Sequence, residues 1–350
     1  MRRLVRILAV TLLVLVALVG LMGVLAPWSP SGWFGLGAVV VAALALSISE
    51  RGVRRGLGAV ALVLLAILLA VRMLGAEDGM IRMVTLPQGT SSRWLGRVLD
   101  EQDVALAGAR VLAMRWRLPP DEQQRLVPAM REAYVEMRRD DAFTPSPVFD
   151  TLLGRQTPGA FDTLVIEPRA ESNPALPVKT GVIFLHGYAG GYTLECWLVA
   201  SAARAVGAVT VCPATDFSGH WRGEAGERIV RATLDTLHAR GIRRVFLAGL
   251  SNGAMGASAL APRLASSLAG LILISGAPAS GENGGLPTLV VHGTAAPMAS
   301  VASARAFAAR TQASYAGFDG GHFVLLVRRA ETRAAIATWL MGQLGLHASN

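Results

Sequence analysis

Apolar positions are distributed very unevenly along the 350 residues. Three apolar stretches open the chain, from about Leu4 to Ala26, Trp33 to Ile48 and Leu57 to Val71. A helix crossing the hydrocarbon core needs about 20 apolar residues, with a lower limit near 17. The first stretch meets that length, and the other two meet it with their small flanking residues. Residues 1–76 therefore predict a transmembrane anchor of about three helices. Residues 77–150 are more polar, and their apolar positions recur at helical spacing. Asp121 follows Pro119-Pro120 and precedes Leu126, Met130, Tyr134 and Met137, a helix start followed by an amphipathic face. Thr144-Pro145-Ser146-Pro147 ends that helix. This segment predicts a helical connector in which no residue carries recognisable chemistry.

From residue 151 to 350 the pattern changes again. Short uninterrupted apolar runs at Thr163–Ile166, Val182–Leu185, Val209–Cys212, Val245–Ala248, Leu271–Ile274 and Leu289–Val291, with a weaker one at Ser314–Phe318, predict strands. Helical patterns separate them, around Glu195–Val206, Glu227–Arg240, Gly253–Leu264, Val301–Arg310 and Arg329–Leu344. Buried strands alternating with helices predict an α/β fold, a mostly parallel sheet with helices on both faces.

Charge orients the anchor. Arg2 and Arg3 precede the first apolar stretch and Arg6 sits at its start, and Arg51, Arg54 and Arg55 lie between the second and third. Beyond the third, Glu77 and Asp78 mix with Arg72 and Arg82. Arginines mark the cytoplasmic ends of spans, so residues 151–350 are expected outside, which in a bacterial inner membrane is the periplasm. Val24 and Ala26 also fit the small-residue pattern before a signal-peptide cleavage site, and cleavage there would leave the same outward domain. The net charge of +9 does not imply a nucleic-acid partner. Lys179 is the sole lysine, and the arginines are scattered rather than interleaved with aromatics along a groove. Two cysteines, Cys196 and Cys212, exclude a Cys-rich zinc site and leave either one disulfide or two buried thiols. No His, Asp and Glu set has metal-ligand spacing, and Gly187–Gly191 lacks the Lys-Ser/Thr ending of a phosphate loop. Neither a metal nor a cofactor is expected.

The chemistry gathers at Gly249-Leu250-Ser251-Asn252-Gly253. This run follows the Val245–Ala248 strand and opens a helix rich in small residues. A serine on a sharp strand-to-helix turn, with glycines that let the chain bend and pack, is the setting of a nucleophile. With that motif the chain resembles the α/β-hydrolase family from about Phe161 to Leu344. His186-Gly187-Tyr188-Ala189-Gly190-Gly191 matches the loop that supplies an oxyanion-hole N–H, here that of Tyr188, with the second N–H from Asn252. Gly320-Gly321-His322-Phe323 matches the loop of the catalytic histidine. The resemblance thus implies Ser251 as nucleophile and His322 as general base, with fixed N–H dipoles stabilising charge on the carbonyl oxygen. His186 and His292 are read as braces for loops at strand ends, and His220 as a residue lining the pocket.

One position departs from the family. The acid expected four residues past His292 is Ala296, flanked by Ala295 and Pro297. Glu282 is the first substitute by chain position, Asp319 the next, and Asp216 a more remote third. Three functions stay open at this point: a membrane-anchored serine hydrolase of carboxylic esters or thioesters, small or lipid; a membrane protein that kept the fold and lost activity; and an acyltransferase or peptidase on the same scaffold.

Overall fold

A computed structural model describes residues 29–48, 50–74, 80–88, 100–115, 118–141, 144–168 and 179–346, with residues 11 and 96. The stretch Leu4 to Ala26, with Arg2, Arg3, Arg6, Glu77 and Asp78, lies outside the described residues.

Two apolar helices come first, α1 (Pro30–Ser47) and α2 (Arg51–Leu74). They are packed antiparallel, since Gly35 near the start of one faces Leu68 near the end of the other. Within α2, Arg51–Ala70 is long and apolar enough to cross a membrane, whereas the apolar part of α1, Gly32–Ser47, is shorter. Leu44, Leu46, Leu62, Val63 and Ile67 point away from the rest of the protein. At the end away from Arg51, Arg54 and Arg55, the hairpin is tied to the following helix. Ser29 donates its N–H and its hydroxyl to the Asp103 carboxylate, at 2.6 and 3.0 Å, and Arg72 pairs with Asp100 at 2.8 Å.

The remaining elements, in chain order, are β1 (Ile81–Leu86), α3 (Glu101–Arg115), α4 (Pro120–Asp140), α5 (Val148–Leu152), β2 (Phe161–Ile166), β3 (Thr180–Leu185), α6 (Thr193–Ala203), β4 (Val209–Pro213), α7 (Glu224–Ala239), β5 (Arg244–Leu250), α8 (Asn252–Leu264), β6 (Gly270–Ile274), β7 (Thr288–Gly293), α9 (Val301–Thr311), β8 (Ser314–Phe318), α10 (Val324–Val327) and α11 (Arg329–Leu344). The eight strands form one sheet in the order β1-β2-β4-β3-β5-β6-β7-β8. β2 runs antiparallel to both its neighbours, and all pairs from β4 to β8 are parallel. This is an α/β-hydrolase-type mixed sheet. It begins earlier than the apolar pattern indicated: β1 comes from the segment read as a helical connector, and pairs with β2 from Ile81↔Ile166 to Leu86↔Phe161.

Strand residues alternate between two cores. Val182, Phe184, Phe246 and Ile272 face one side with Leu126, Tyr134 and Met137 of α4 and Val199 of α6. Ile183, Leu185, Leu247 and Leu271 face the other with Leu234 of α7, Leu260 of α8 and Phe307 of α9. A strand buried on both faces has no polar side to show water, which explains the unbroken apolar runs. Each fully buried Leu, Ile or Phe contributes about 1.5–3 kcal/mol, and these layers fix the strand ends that carry the site. Cys196 on α6 and Cys212 on β4 form a disulfide.

Candidate active site

The chain leaves β3 for β4 on one side, then crosses to β5 on the other, so the sheet order reverses at β3 and β5. The crevice beyond the carboxyl ends of strands at such a switch is where open α/β sheets place their ligands. Leu185 pairs with Gly249 there, which sets the loop after β3, with His186, Gly187 and Tyr188, beside Leu250, Ser251 and Asn252.

Ser251 caps α8 with φ 54° and ψ −116°. A non-glycine residue rarely holds such values, at a cost of about 1–3 kcal/mol, and does so where the surroundings force it. The surroundings are visible. A Cβ on Gly249 would strike the Gly253 carbonyl and the Ala254 nitrogen, and one on Gly253 would strike the carbonyls of Leu185 and His186. Gly276, after β6, lies against the Ser251 carbonyl in the same way. The two glycines flanking Ser251 are thus required because helix α8 starts in contact with strands β3 and β5. Ser251 remains half-buried rather than sealed.

Gly187 packs on the turn, with a Cβ there reaching 3.1 Å from the Leu250 oxygen and 3.2 Å from the Ser251 Cβ. Ala189 has φ 83°, and its N–H donates to Phe217 O at 2.8 Å. Among the described residues, neither the Tyr188 N–H nor the Asn252 N–H is given to a protein acceptor. Two free amides therefore flank the serine, one at a helix N-terminus, the arrangement that holds an oxyanion. The Tyr188 ring is exposed and stacks edge-on against Phe217 at 4.9 Å, an apolar lip beside the turn.

His186 braces this loop, as expected. Its Nδ1 donates to Gly187 O (2.8 Å), its Nε2 accepts from Thr215 N–H (3.1 Å), and Trp221 Nε1 donates to His186 O (2.9 Å). Burial pushes its pKa down to about 4. His292 is likewise buried, with Nδ1 against Gly293 O at 2.9 Å. His220 lies exposed in the neighbouring loop, its backbone N–H donated to Asp216 at 3.2 Å.

His322 lies after β8, on a loop folded back over the end of β7. Thr294 and Ala295 donate N–H groups to Phe318 O and Gly320 O, and the Gly321 carbonyl sits where a Cβ on Gly293 would be. The ring is buried, and burial, with His292 nearby adding to it, lowers its pKa to about 4. Its Nδ1 has no hydrogen-bond partner among the described residues. Ala296, where the resemblance expects an acid, is buried and apolar. The structure does not bring the substitutes to the ring. Glu282 is exposed, Asp319 is 87% exposed and paired with Arg328, and Asp216 is held by Ser218 and by the His220 N–H of its own loop.

Two buried contacts to these loops come from the connector, where the sequence showed no chemistry. Glu122, on the first turn of α4 and 1% exposed, accepts the Phe323 N–H at 2.7 Å. The amides of His322 and Gly321 also favour its charged form, against burial, which dominates and raises its pKa. Glu101, at the start of α3, accepts the N–H groups of Thr193 (2.8 Å) and Leu194 (2.9 Å), capping α6 directly after the oxyanion-type loop. Tyr134 and Ser146 hydroxyls complete its shell. Helix starts and loops with free N–H groups are satisfied by carboxylates, but both partners are distant in sequence, so no local signal marks them.

Among the described residues no group of His, Cys, Asp and Glu could hold a metal ion. A shallow groove lined by Glu136, Trp197, Ser201, Val327 and Arg329 lies between α4, α6 and α11, away from Ser251.

Compared with protein-family models and with curated proteins, the chain matches none. It is similar to solved structures. A serine hydrolase of Xanthomonas campestris described as lacking a lid is 22% identical, with 55% of this chain and 92% of that one covered and a TM-score of 0.43. The protein Est1E of Butyrivibrio proteoclasticus is 15% identical over 53% and 95%, with a TM-score of 0.43. A fluorophosphonate-binding serine hydrolase of Staphylococcus aureus is 15% identical over 52% and 93%, with a TM-score of 0.42. These likenesses concern the fold of the chain alone.

Proposed function

We propose that this protein is a membrane-anchored serine hydrolase that cleaves carboxylic ester or thioester bonds through an acyl-enzyme on Ser251. The observation that carries the reading is the forced backbone of Ser251, at φ 54° between β5 and α8, with the uncommitted amides of Tyr188 and Asn252 on either side. Ser251 Oγ attacks the acyl carbon while its proton passes to His322. The carbonyl oxygen takes the negative charge between the two amides. The bond to the leaving alcohol or thiol then breaks, and that group receives the proton from His322. Water attacks the acyl-enzyme by the same route in reverse, releasing the acid and restoring the Ser251 hydroxyl. No carboxylate meets His322 Nδ1, so the base works as half of a Ser–His dyad. Its lowered pKa keeps it neutral, and so able to accept a proton, from mildly acidic pH upward.

The same missing carboxylate favours a second reading, an inactive protein that retains the fold. Hydrolysis by the full chain of a panel of esters and thioesters of increasing acyl length separates the two. Turnover abolished by Ser251→Ala, with the acyl group trapped on Ser251 by mass spectrometry, supports the enzyme. Absence of turnover across the panel by folded wild type supports the rival. Transfer of the acyl group to added alcohol or amine in preference to water makes it an acyltransferase.

The anchor and the side it faces belong to this proposal. The exposed apolar faces of α1 and α2 and the Arg51, Arg54 and Arg55 cluster at the end remote from the sheet support a catalytic domain on the periplasmic side of a bacterial inner membrane. The Cys196–Cys212 disulfide suits an oxidising compartment. A reporter fused at Asn350 that reads as periplasmic is expected, and a cytoplasmic signal overturns this topology.

A further inference from the structure

His322 follows two glycines, Gly320 with φ 143° and Gly321, and glycine gives a loop freedom that something else must remove. In a triad, a carboxylate on the imidazole removes part of it by fixing the ring. Here Nδ1 has no partner among the described residues and the acid position is Ala296, so the ring is placed by the backbone that carries it. That backbone is held from two sides. On one, Gly321 is pressed on Gly293 at the end of β7. On the other, the buried Glu122 carboxylate takes the Phe323 N–H at 2.7 Å, with the His322 and Gly321 amides turned to the same group. A Cβ on Gly321 would strike Glu122 and come within 2.9 Å of Pro119 Cδ. Glu122 and the loop are thus in contact without slack.

We infer that Glu122 is a positioning residue for the general base: it grips the His322 loop through its amides and so does from the connector what a triad acid does at the ring. The inference rests on the hydrolase reading of Ser251 and His322. A buried carboxylate that accepts the Phe323 N–H at 2.7 Å, with the neighbouring His322 and Gly321 amides favouring its charged form, is a directional restraint. Its helix, α4, begins 19 residues after Glu101, whose carboxylate caps α6 behind the oxyanion-type loop. Both loops that would flank the substrate are therefore held by carboxylates of the helical segment between β1 and β2. A proton transfer needs its partners within tenths of an ångström, so loss of the grip falls on the chemical step rather than on substrate binding.

The test uses the full chain in detergent with a short-chain ester and a fluorophosphonate probe. Glu122→Ala is expected to lower kcat about tenfold or more with KM within about twofold. The rate constant for Ser251 labelling should fall by the same factor. Glu122→Gln keeps one acceptor oxygen but turns an amide N–H toward the loop's donors, so a smaller loss of about threefold or more is expected. Asp121→Asn, an exposed neighbour paired with Arg125, is the control and should match wild type. A merely structural role would lower the fraction of protein that labels and the thermal midpoint, while the rate constant of the folded fraction stays unchanged. That result, or wild-type kcat in folded Glu122→Ala, overturns the inference alone. Where Glu122→Ala does not fold, wild-type kcat in Glu122→Gln overturns it. Wild type that neither labels nor hydrolyses overturns the hydrolase reading as well.

Discussion

Gly187 and Ser251, from loops after two adjacent strands, are packed so closely that a single methyl on Gly187 would lie 3.2 Å from the Ser251 Cβ. The oxyanion-type loop and the nucleophile turn therefore cannot move independently. Gly187→Ala is expected to displace the Tyr188 amide by a few tenths of an ångström and lower kcat about tenfold or more, since one misplaced oxyanion donor costs at least that. The thermal midpoint should change little. Comparison of labelling rate constants with unfolding curves checks both parts.

Glycines in this chain differ sharply in what surrounds them, and their substitution should differ accordingly. Gly253→Ala would push a methyl into the Leu185 and His186 carbonyls at the centre of the sheet, and loss of folded protein is expected. Gly342→Ala, in α11 with nothing within 4 Å, should instead stabilise by roughly 0.5–1 kcal/mol by reducing the freedom of the unfolded chain. Thermal unfolding of the two variants distinguishes them.

The pH dependence follows from His322. Its neutral form is the base, and its pKa is lowered from 6.5 to about 4 by burial, with His292 adding to it. Protonation of His322 should therefore lower activity only as pH drops through about 4, with protonation of Glu122, whose pKa burial raises, the other source of loss on the acid side. An acid limb near 6.5 that persists in Glu122→Gln would contradict the lowered pKa of His322.

Substitution of the acids tests the dyad from another side. Glu282 is exposed, and Asp319 is exposed and paired with Arg328. Glu282→Gln and Asp319→Asn should both leave kcat within about twofold, because exposed charges at such sites contribute little. A large loss in either would place a carboxylate on His322 after all.

Reduction tests the disulfide. It closes a segment with a sequence separation of 16 between α6 and β4, and a loop of that size implies about 3 kcal/mol of stabilisation. The thermal midpoint should fall on reduction or in Cys212→Ser, with Ser251 still labelling in the folded fraction.

The sheet was largely legible in the sequence because strands buried on both faces must be apolar throughout, as in Thr163–Ile166 and Leu271–Ile274. β1 was not, because its residues Ile-Arg-Met-Val-Thr-Leu alternate in burial along one edge of the sheet and follow two long apolar helices that dominate the local pattern. The sharp turn at Ser251 was legible because it demands glycines at fixed offsets. The choice of Glu282 as acid rested on order along the chain, which does not carry the exposure that removes it from the ring. Glu122 was hidden for the opposite reason. A carboxylate in the first turn of a helix is ordinary, and its partner lies 201 residues away.

The most direct measurement is labelling of the full chain with a fluorophosphonate, mapped by mass spectrometry. Adduct on Ser251, abolished in Ser251→Ala and slowed about a hundredfold or more in His322→Ala, is the expected result. Folded wild-type protein that takes up no label at Ser251, or that labels equally well without the His322 imidazole, would contradict the pairing of nucleophile and base.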